Sequence, residues 1–121
     1  MAKILVVEDE IFLSEALTNK LRKTKHTVET AMDGVQALAK VGPFKPELIL
    51  LDIRMPKKDG FSVIRELKSA PATKDIPVIM LSNFGEANEV TKAKALGAQD
   101  YFVKANLKLA DLCEKIKNLL G

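Results

Sequence analysis

Cysteine, histidine and tryptophan are nearly absent from this 121-residue chain, which has one cysteine, one histidine and no tryptophan. The single cysteine, Cys113, excludes an intramolecular disulfide and suits a reducing compartment. It lies in a helical pattern with no histidine nearby, so we interpret it as a small core or boundary residue and not as a nucleophile. The isolated histidine, His26, cannot form a metal site by itself, and we assign it a structural role.

Long hydrophobic runs are also missing. No apolar stretch approaches the roughly 20 residues that a membrane-spanning helix needs. The N-terminal MAKILVVEDE reaches acidic residues too early for a signal peptide. We therefore expect a cytoplasmic protein that does not bind a membrane. The length and the hydrophobic fraction of 47% predict one folded domain over residues 1–121.

Arginine is scarce, because the 19 basic residues include only Arg22, Arg54 and Arg65 as arginines. The lysines are spread along the chain among 16 acidic residues, and the formal net charge is +3. Such mixing is typical of a solvated surface. A nucleic-acid site needs clustered basic residues with arginine or aromatic partners, so we expect no direct contact with nucleic acid.

Five short apolar runs alternate with five helical patterns. Continuous apolar runs are typical of parallel strands covered on both faces. Strict alternation of strand and helix favours right-handed crossovers and a parallel sheet between two layers of helices. We predict a single flavodoxin-like, doubly wound α/β domain with strand order 2-1-3-4-5. The predicted strands are Lys3–Val7, Thr27–Ala31, Leu48–Leu51, Val78–Leu81 and Tyr101–Val103.

The fourth helical pattern, from about Glu86 to Leu96, is the weakest of the five. Its large apolar residues are only Val90 and Leu96, and the other positions of its stripe are alanines. We therefore expect this helix to be the least firmly anchored to the core.

Polar side chains follow four of the predicted strands where each strand ends. They are Glu8, Asp9, Asp52, Ser82 and Lys104. Because the carboxyl ends of parallel strands share one edge of the sheet, these side chains are expected to lie together. Three clustered carboxylates must bind a cation or take up protons. Oxygen ligands with room for water suit Mg²⁺, whereas zinc and copper are poor candidates without cysteine or histidine.

The same group of side chains indicates phosphoryl chemistry. Lys104 supplies a fixed positive charge and Ser82 a neutral donor, and both suit the equatorial oxygens of a phosphoryl group. A carboxylate can act as the nucleophile and form an aspartyl-phosphate. Asp52 fits that role because it ends the central strand and lies between the other groups.

These residues stand in motifs that resemble the receiver domain of two-component response regulators, the chemotaxis-regulator-like family. The motifs are the acid pair in VVED, LLDIRMPKKDG around Asp52, LSN with Ser82, and DYFVK with Tyr101 and Lys104. They occur in the family's order and spacing, and the resemblance runs from VVEDE to ADLCEKIKNLL. It implies that Asp9, Asp52 and the backbone carbonyl of Arg54 bind Mg²⁺ directly, with Glu8 acting through water.

The resemblance also implies a mechanism. Asp52 would accept a phosphoryl group from a phosphohistidine of a sensor histidine kinase or histidine phosphotransfer protein. Lys104 would pair with Asp52 and later with the phosphoryl group. Ser82 would then bind a phosphoryl oxygen and open space for Tyr101 to rotate. The helix 4–strand 5–helix 5 face would shift to control a downstream effector protein, with Gly85 allowing the preceding loop to move.

Three departures from the family pattern carry their own expectations. The usual proline after the lysine is Ala105 here, so we predict a trans Lys104–Ala105 bond, because a cis bond before a non-proline costs about 3 kcal/mol. Asn83 replaces a smaller residue and would crowd the phosphoryl group or donate to it. Arg54 and Phe84 occupy positions that tune water access, from which we predict slow autodephosphorylation.

Several other functions compete with the phosphorylation-controlled switch. A Mg²⁺-dependent phosphatase would carry a second acid two residues after the nucleophile, where this chain has Arg54. A flavodoxin-like electron carrier conflicts with the acids at the strand ends, which would repel the FMN phosphate. The intact acids, Asp52 and Lys104 count against a degenerate receiver that binds partners without phosphorylation, whereas Ala105 and Asn83 leave that alternative open. We expect catalysis only of the domain's own phosphorylation and dephosphorylation, either by a stand-alone protein or by a fragment of a larger transcriptional regulator or hybrid kinase.

Overall fold

The computed structural model describes residues 2–83 and 86–120. Within them, five β-strands alternate with five α-helices, and a 3-10 turn at Lys104–Asn106 joins the last strand to the last helix. None of these helices is long and apolar enough to cross a bilayer. The strands are β1 (Lys3–Val7), β2 (Thr27–Ala31), β3 (Leu48–Asp52), β4 (Val78–Ser82) and β5 (Asp100–Val103). The helices are α1 (Ile11–Lys23), α2 (Gly34–Phe44), α3 (Gly60–Ser69), α4 (Ala87–Ala95) and α5 (Leu109–Leu120).

All strand pairs are parallel and the sheet order is β2-β1-β3-β4-β5, which confirms the predicted fold. The strand ends differ slightly from prediction. β3 extends to Asp52, which pairs with Leu81, and β4 extends to Ser82, which pairs with Val103. Both polar residues thus lie inside the ladder, where main-chain pairing fixes their positions. β5 begins at Asp100, one residue earlier than predicted.

Side chains alternate between two apolar layers, as the two-residue period of a strand requires. One layer packs the sheet against α2, α3 and α4, and the other packs it against α1 and α5. The central strands β3 and β4 are buried along their whole length. Strand residues of the first layer are Leu5, Val7, Ala31, Ile49, Leu51, Val78 and Met80. Those of the second are Ile4, Val6, Val28, Leu48, Leu50, Ile79 and Leu81.

The fourth helix, α4, is as thinly anchored as its sequence predicts. It is one residue shorter at each end than expected, and Ala93 is its single buried residue. Val90 and Leu96 are only partly buried. The expectations for Phe84 and Gly85 concern residues outside the described ranges.

His26 and Cys113 have the structural roles expected of them. The Nδ1 atom of His26 accepts a hydrogen bond from the backbone N–H of Ala2 at 3.1 Å. Cys113 is partly buried against the apolar layer beneath α1 and α5.

Asp33 and Asp59, each followed by a glycine, are the N-caps of α2 and α3. Asp33 accepts from Gln36 N and Asp59 accepts from Ser62 N, both at 2.8 Å. This bond satisfies one of the free donors in the first helical turn. The glycine that follows each cap leaves space for neighbouring backbone, because a Cβ on Gly60 would clash with the Asp52 carbonyl oxygen and lie 2.8 Å from Ile53 Cα.

Replacing Gly60 with alanine is therefore expected to lower the free energy of unfolding by about 1–3 kcal/mol, the usual cost of overpacking. Gly42, inside α2, is the matched control, since a Cβ there meets nothing within 4 Å. Gly42→Ala should raise the free energy of unfolding by roughly 0.5–1 kcal/mol, because alanine favours the helix. Urea denaturation of both variants checks the prediction. If both substitutions changed the free energy of unfolding by the same amount and in the same direction, the close approach at Gly60 would be easily relieved.

Candidate functional site

An acidic cluster lies at the carboxyl edge of the sheet, where β1 and β3 are neighbours. Glu8, Asp9 and Asp52 each present a carboxylate oxygen, and these three oxygens lie within 4.8 Å of one another. Glu8 and Asp52 are buried, whereas Asp9 is partly exposed. Among the described residues, Asp52 Oδ2 is buried with no hydrogen-bond donor. The structure thus brings together the three acids that the sequence predicted as metal ligands.

Lys104, at the start of the 3-10 turn, reaches into this cluster. Its Nζ lies 2.8 Å from Glu8 Oε1, 3.2 Å from Asp52 Oδ1 and 3.3 Å from Glu10 Oε2. The expected contact with Asp52 is present, but Glu8 is the nearer partner. Sequence reasoning missed Glu10, although the run of three acids after β1 contained the signal. One ammonium group thus contacts three carboxylates.

The buried carboxylates of this cluster carry more negative charge than Lys104 compensates. The pKa of Asp52 rises from 3.8 to about 7, mainly because of burial and then because of the nearby Glu8 charge, while Lys104 opposes the rise. Burial also raises the pKa of Glu8 against its hydrogen bond from Lys104. Burial lowers the pKa of Lys104, but its hydrogen bond to Glu8 and the charge of Asp52 outweigh burial and raise it. A further cation would relieve this repulsion.

The donor chemistry of the cluster fits a hard divalent cation. All three ligating groups are carboxylates, and no nitrogen or sulfur ligand joins them among the described residues. Oxygen-only sites with an open, partly exposed side are those that magnesium and manganese prefer. The unpartnered Asp52 Oδ2 is available as a ligand.

Ser82 and Tyr101 are already in contact in this structure. Ser82 is buried at the end of β4, and its side chain hydrogen-bonds that of Tyr101. The Tyr101 ring packs against the apolar layer beneath α2, α3 and α4. Burial is the main cause that raises the pKa of the Tyr101 hydroxyl. The two residues predicted to act together in switching therefore form a direct link from the end of β4 to β5.

Arg54 has a partner that the sequence did not reveal. Its Nη2 lies 2.9 Å from Glu89 Oε2 on α4. The two residues are separated by 35 positions, so no local pattern joins them. The role of Arg54 in setting the lifetime of the aspartyl-phosphate stays a prediction.

The other departures from the family pattern have simpler outcomes. No peptide bond is cis among the described residues, so the Lys104–Ala105 bond is trans as predicted. Asn83 is exposed, and its effect on a phosphoryl group stays a prediction.

Comparison with known proteins tests the resemblance seen in the motifs. The sequence matches the family model of the response regulator receiver domain over residues 4–117. The chain belongs to this family. The match covers a signalling domain, not a phosphatase or an electron carrier, and it confirms the resemblance seen in the motifs. The receiver domain's acid cluster and Lys104 lie at the strand ends where the motifs predicted them.

Relatives of this receiver domain include longer proteins. The DNA-binding dual master transcriptional regulator RpaA of Synechocystis sp. is 32% identical over 120 residues, which are 99% of this chain and 49% of RpaA. The receiver domain thus spans about half the length of this relative. The receiver domain of a signal transduction histidine kinase from Syntrophus aciditrophicus is 32% identical with a TM-score of 0.90, covering 99% and 90% of the two chains. The response regulator Rcp1, whose structure is of an Mn²⁺-bound form, is 30% identical with a TM-score of 0.82, covering 98% and 91%.

Proposed function

We propose that this receiver domain is a phosphorylation-activated switch in which Asp52 accepts a phosphoryl group from a phosphohistidine of a partner protein. The observation that carries the proposal is the position of the Asp52 carboxylate. It is buried at the end of a central strand, in contact with Lys104 and within a cluster of oxygen ligands. The main-chain pairing of Asp52 with β4 holds this nucleophile at a fixed point.

The transfer step needs little chemistry from the protein beyond position and charge. An Asp52 oxygen attacks phosphorus, the N–P bond of the phosphohistidine breaks, and its electron pair passes to the leaving imidazole nitrogen, which takes up a proton from solvent. Lys104 then balances the charge of the transferred phosphoryl oxygens. As that happens, Glu8 and Glu10 remain beside the Lys104 ammonium and keep it in place.

The acidic cluster is proposed to hold Mg²⁺. Asp9, Asp52 and the backbone carbonyl of Arg54 would be direct ligands, and Glu8 would act through water. A bound ion would supply positive charge where the negatively charged nucleophile and phosphoryl group meet. Burial of two carboxylates without full compensation by Lys104 supports this assignment.

The response to phosphorylation is proposed to pass through Ser82 and Tyr101. A phosphoryl oxygen would draw the Ser82 hydroxyl away from Tyr101, its hydrogen-bond partner. The Tyr101 ring would then move, and with it the face formed by α4, β5 and α5. Sensor histidine kinases or phosphotransfer proteins would act upstream, and effector proteins would bind this face. In a longer regulator, the same face would act on the attached module.

Incubation with Mg²⁺ and acetyl phosphate tests the proposal on the wild type, Asp52→Asn and Asp75→Asn. Asp75 is an exposed acid before β4 and serves as the matched control. Intact-mass measurement should show a gain of one phosphoryl group in the wild type and in Asp75→Asn, and none in Asp52→Asn. EDTA should abolish the gain. Labelling of Asp52→Asn would refute the site, and an unlabelled wild type would favour a degenerate receiver that only binds partners.

A further inference from the structure

Charged side chains supply two of the contacts that hold α4 to the rest of the domain. The one buried residue of α4 is the small Ala93, so apolar packing contributes little. Two charged contacts bind it on the side of β3 and α3. Glu89 pairs with Arg54, and the Lys92 ammonium lies 4.4 Å from the centre of the Phe61 ring. The position of α4 therefore depends on contacts that a change in local charge can alter.

The two partners of the Arg54–Glu89 ion pair are unequally exposed. The Glu89 side chain is 13% exposed, whereas that of Arg54 is 59% exposed. Glu89 Oε1 is buried and, within the described residues, has no hydrogen-bond partner. A buried carboxylate pays for desolvation unless a cation compensates it. Glu89 is thus the more buried half of the pair, and the guanidinium of Arg54 is the more solvent-exposed half.

The pair also lies between the phosphoryl-accepting cluster and the switch tyrosine. Arg54 follows Asp52 by two residues, and an open cavity of about 450 Å³ is lined by Asp9, Arg54 and Glu89 together. The charges of Glu89 and Arg54 also both act on the Tyr101 hydroxyl. Asp9, which lies beside Asp52 in the acidic cluster, therefore faces the same open space as the Arg54 guanidinium.

We propose that Arg54 and Glu89 form an electrostatic clasp that holds α4 in the unphosphorylated state, and that the phosphoryl group on Asp52 opens it by drawing Arg54 away. The proposal rests on the proposed function for its second step. A phosphoryl group carries up to about two negative charges, more than the single charge of Glu89. Loss of Arg54 then leaves Glu89 uncompensated on α4, which favours displacement of that helix. Arg54 is a positioning residue that couples Asp52 to α4.

Hydrogen exchange of the α4 backbone tests the clasp in the unphosphorylated protein. Arg54→Gln and Glu89→Gln should each raise the exchange rates of residues 87–95 by about 1.4-fold to 5-fold, the range expected for a partly exposed ion pair. Arg54→Lys keeps the charge and should restore most of the protection. Arg65→Gln, an exposed arginine of α3, is the matched control and should change nothing. Unchanged exchange of α4 in Arg54→Gln would overturn the clasp.

The lifetime of the aspartyl-phosphate tests whether the Arg54 guanidinium moves from Glu89 to the phosphoryl group. Glu89→Gln removes the competing carboxylate, so Arg54 should stay on the phosphoryl group and lengthen the lifetime. Arg54→Gln removes the guanidinium that limits water access to the aspartyl-phosphate, and it should shorten the lifetime. Changes in the same direction would overturn the transfer step, because a purely structural loss would affect both variants alike. A wild type that takes up no phosphoryl group would overturn both the transfer step and the proposed function, whereas the exchange result would still decide the clasp.

Discussion

Replacement of Lys104 by methionine is expected to lower the free energy of unfolding by about 3–5 kcal/mol at pH 8 without divalent cations, the usual cost of breaking a buried ion pair on one side. The Lys104 side chain is 7% exposed, and its ammonium contacts Glu8 and Asp52, whose side chains are 0% and 3% exposed. Its loss leaves two buried carboxylates facing each other with no cation. Methionine keeps most of the side-chain volume, so the loss reports mainly on charge. Chemical denaturation of the wild type and the variant measures the difference.

Lys115→Met is the matched control for this experiment. Lys115 Nζ lies 3.0 Å from Asp100 Oδ2, but its side chain is 38% exposed. Solvent screens such a pair, so its removal should cost less than about 1 kcal/mol. Added Mg²⁺ should restore part of the stability of Lys104→Met, because a bound cation replaces the missing charge, and should leave Lys115→Met no different from the wild type. Equal losses in the two variants would contradict the assignment of Lys104 to the acidic cluster.

The fold was predictable because its signals are local and repeated. Continuous apolar runs such as Leu48–Leu51 indicate strands covered on both faces, and the spacing between them leaves room for one helix each. The sheet order followed from this alternation. The predicted ends of β3 and β4 were one residue short, because Asp52 and Ser82 are polar residues that the sheet nevertheless buries. Hydrophobicity alone cannot show that such residues continue a ladder.

The acidic cluster was predictable for a topological reason, since parallel strands deliver their carboxyl ends to one edge. The partners of each charge were not. Lys104 lies nearest to Glu8 and also contacts Glu10, which depends on how the turn after β5 approaches the loop after β1. The Arg54–Glu89 pair likewise depends on where α4 rests on the domain. Contacts between side chains of distant loops follow from packing geometry that no periodic pattern encodes.

Neutralising Asp52 is expected to stabilise the protein at high pH, in spite of removing its proposed phosphoryl acceptor. The pKa of Asp52 is raised from 3.8 to about 7 by burial and by the Glu8 charge. A carboxyl group with a raised pKa stabilises the folded state below its unfolded pKa, and this stability is lost as the pH rises through the folded pKa. Without divalent cations, the wild type should therefore become less stable between about pH 4 and pH 8. At 1.36 kcal/mol for each pKa unit, the upper limit of this loss is about 4 kcal/mol.

Asp52→Asn should escape this loss, so its free energy of unfolding should match that of the wild type near pH 4 and exceed it increasingly up to pH 8. Asp75→Asn, at an exposed position, should follow the wild type at every pH. Denaturation in EDTA across this range provides the measurement, and a difference that does not change with pH would contradict the burial-driven rise in pKa. Mg²⁺ should stabilise the wild type through mass action on the folded state and should stabilise Asp52→Asn less, since one ligand has lost its charge. With Mg²⁺, the difference in free energy of unfolding between the wild type and Asp52→Asn at pH 8 should then narrow. The repulsion between carboxylates that destabilises the site without a cation is the same interaction that favours cation binding.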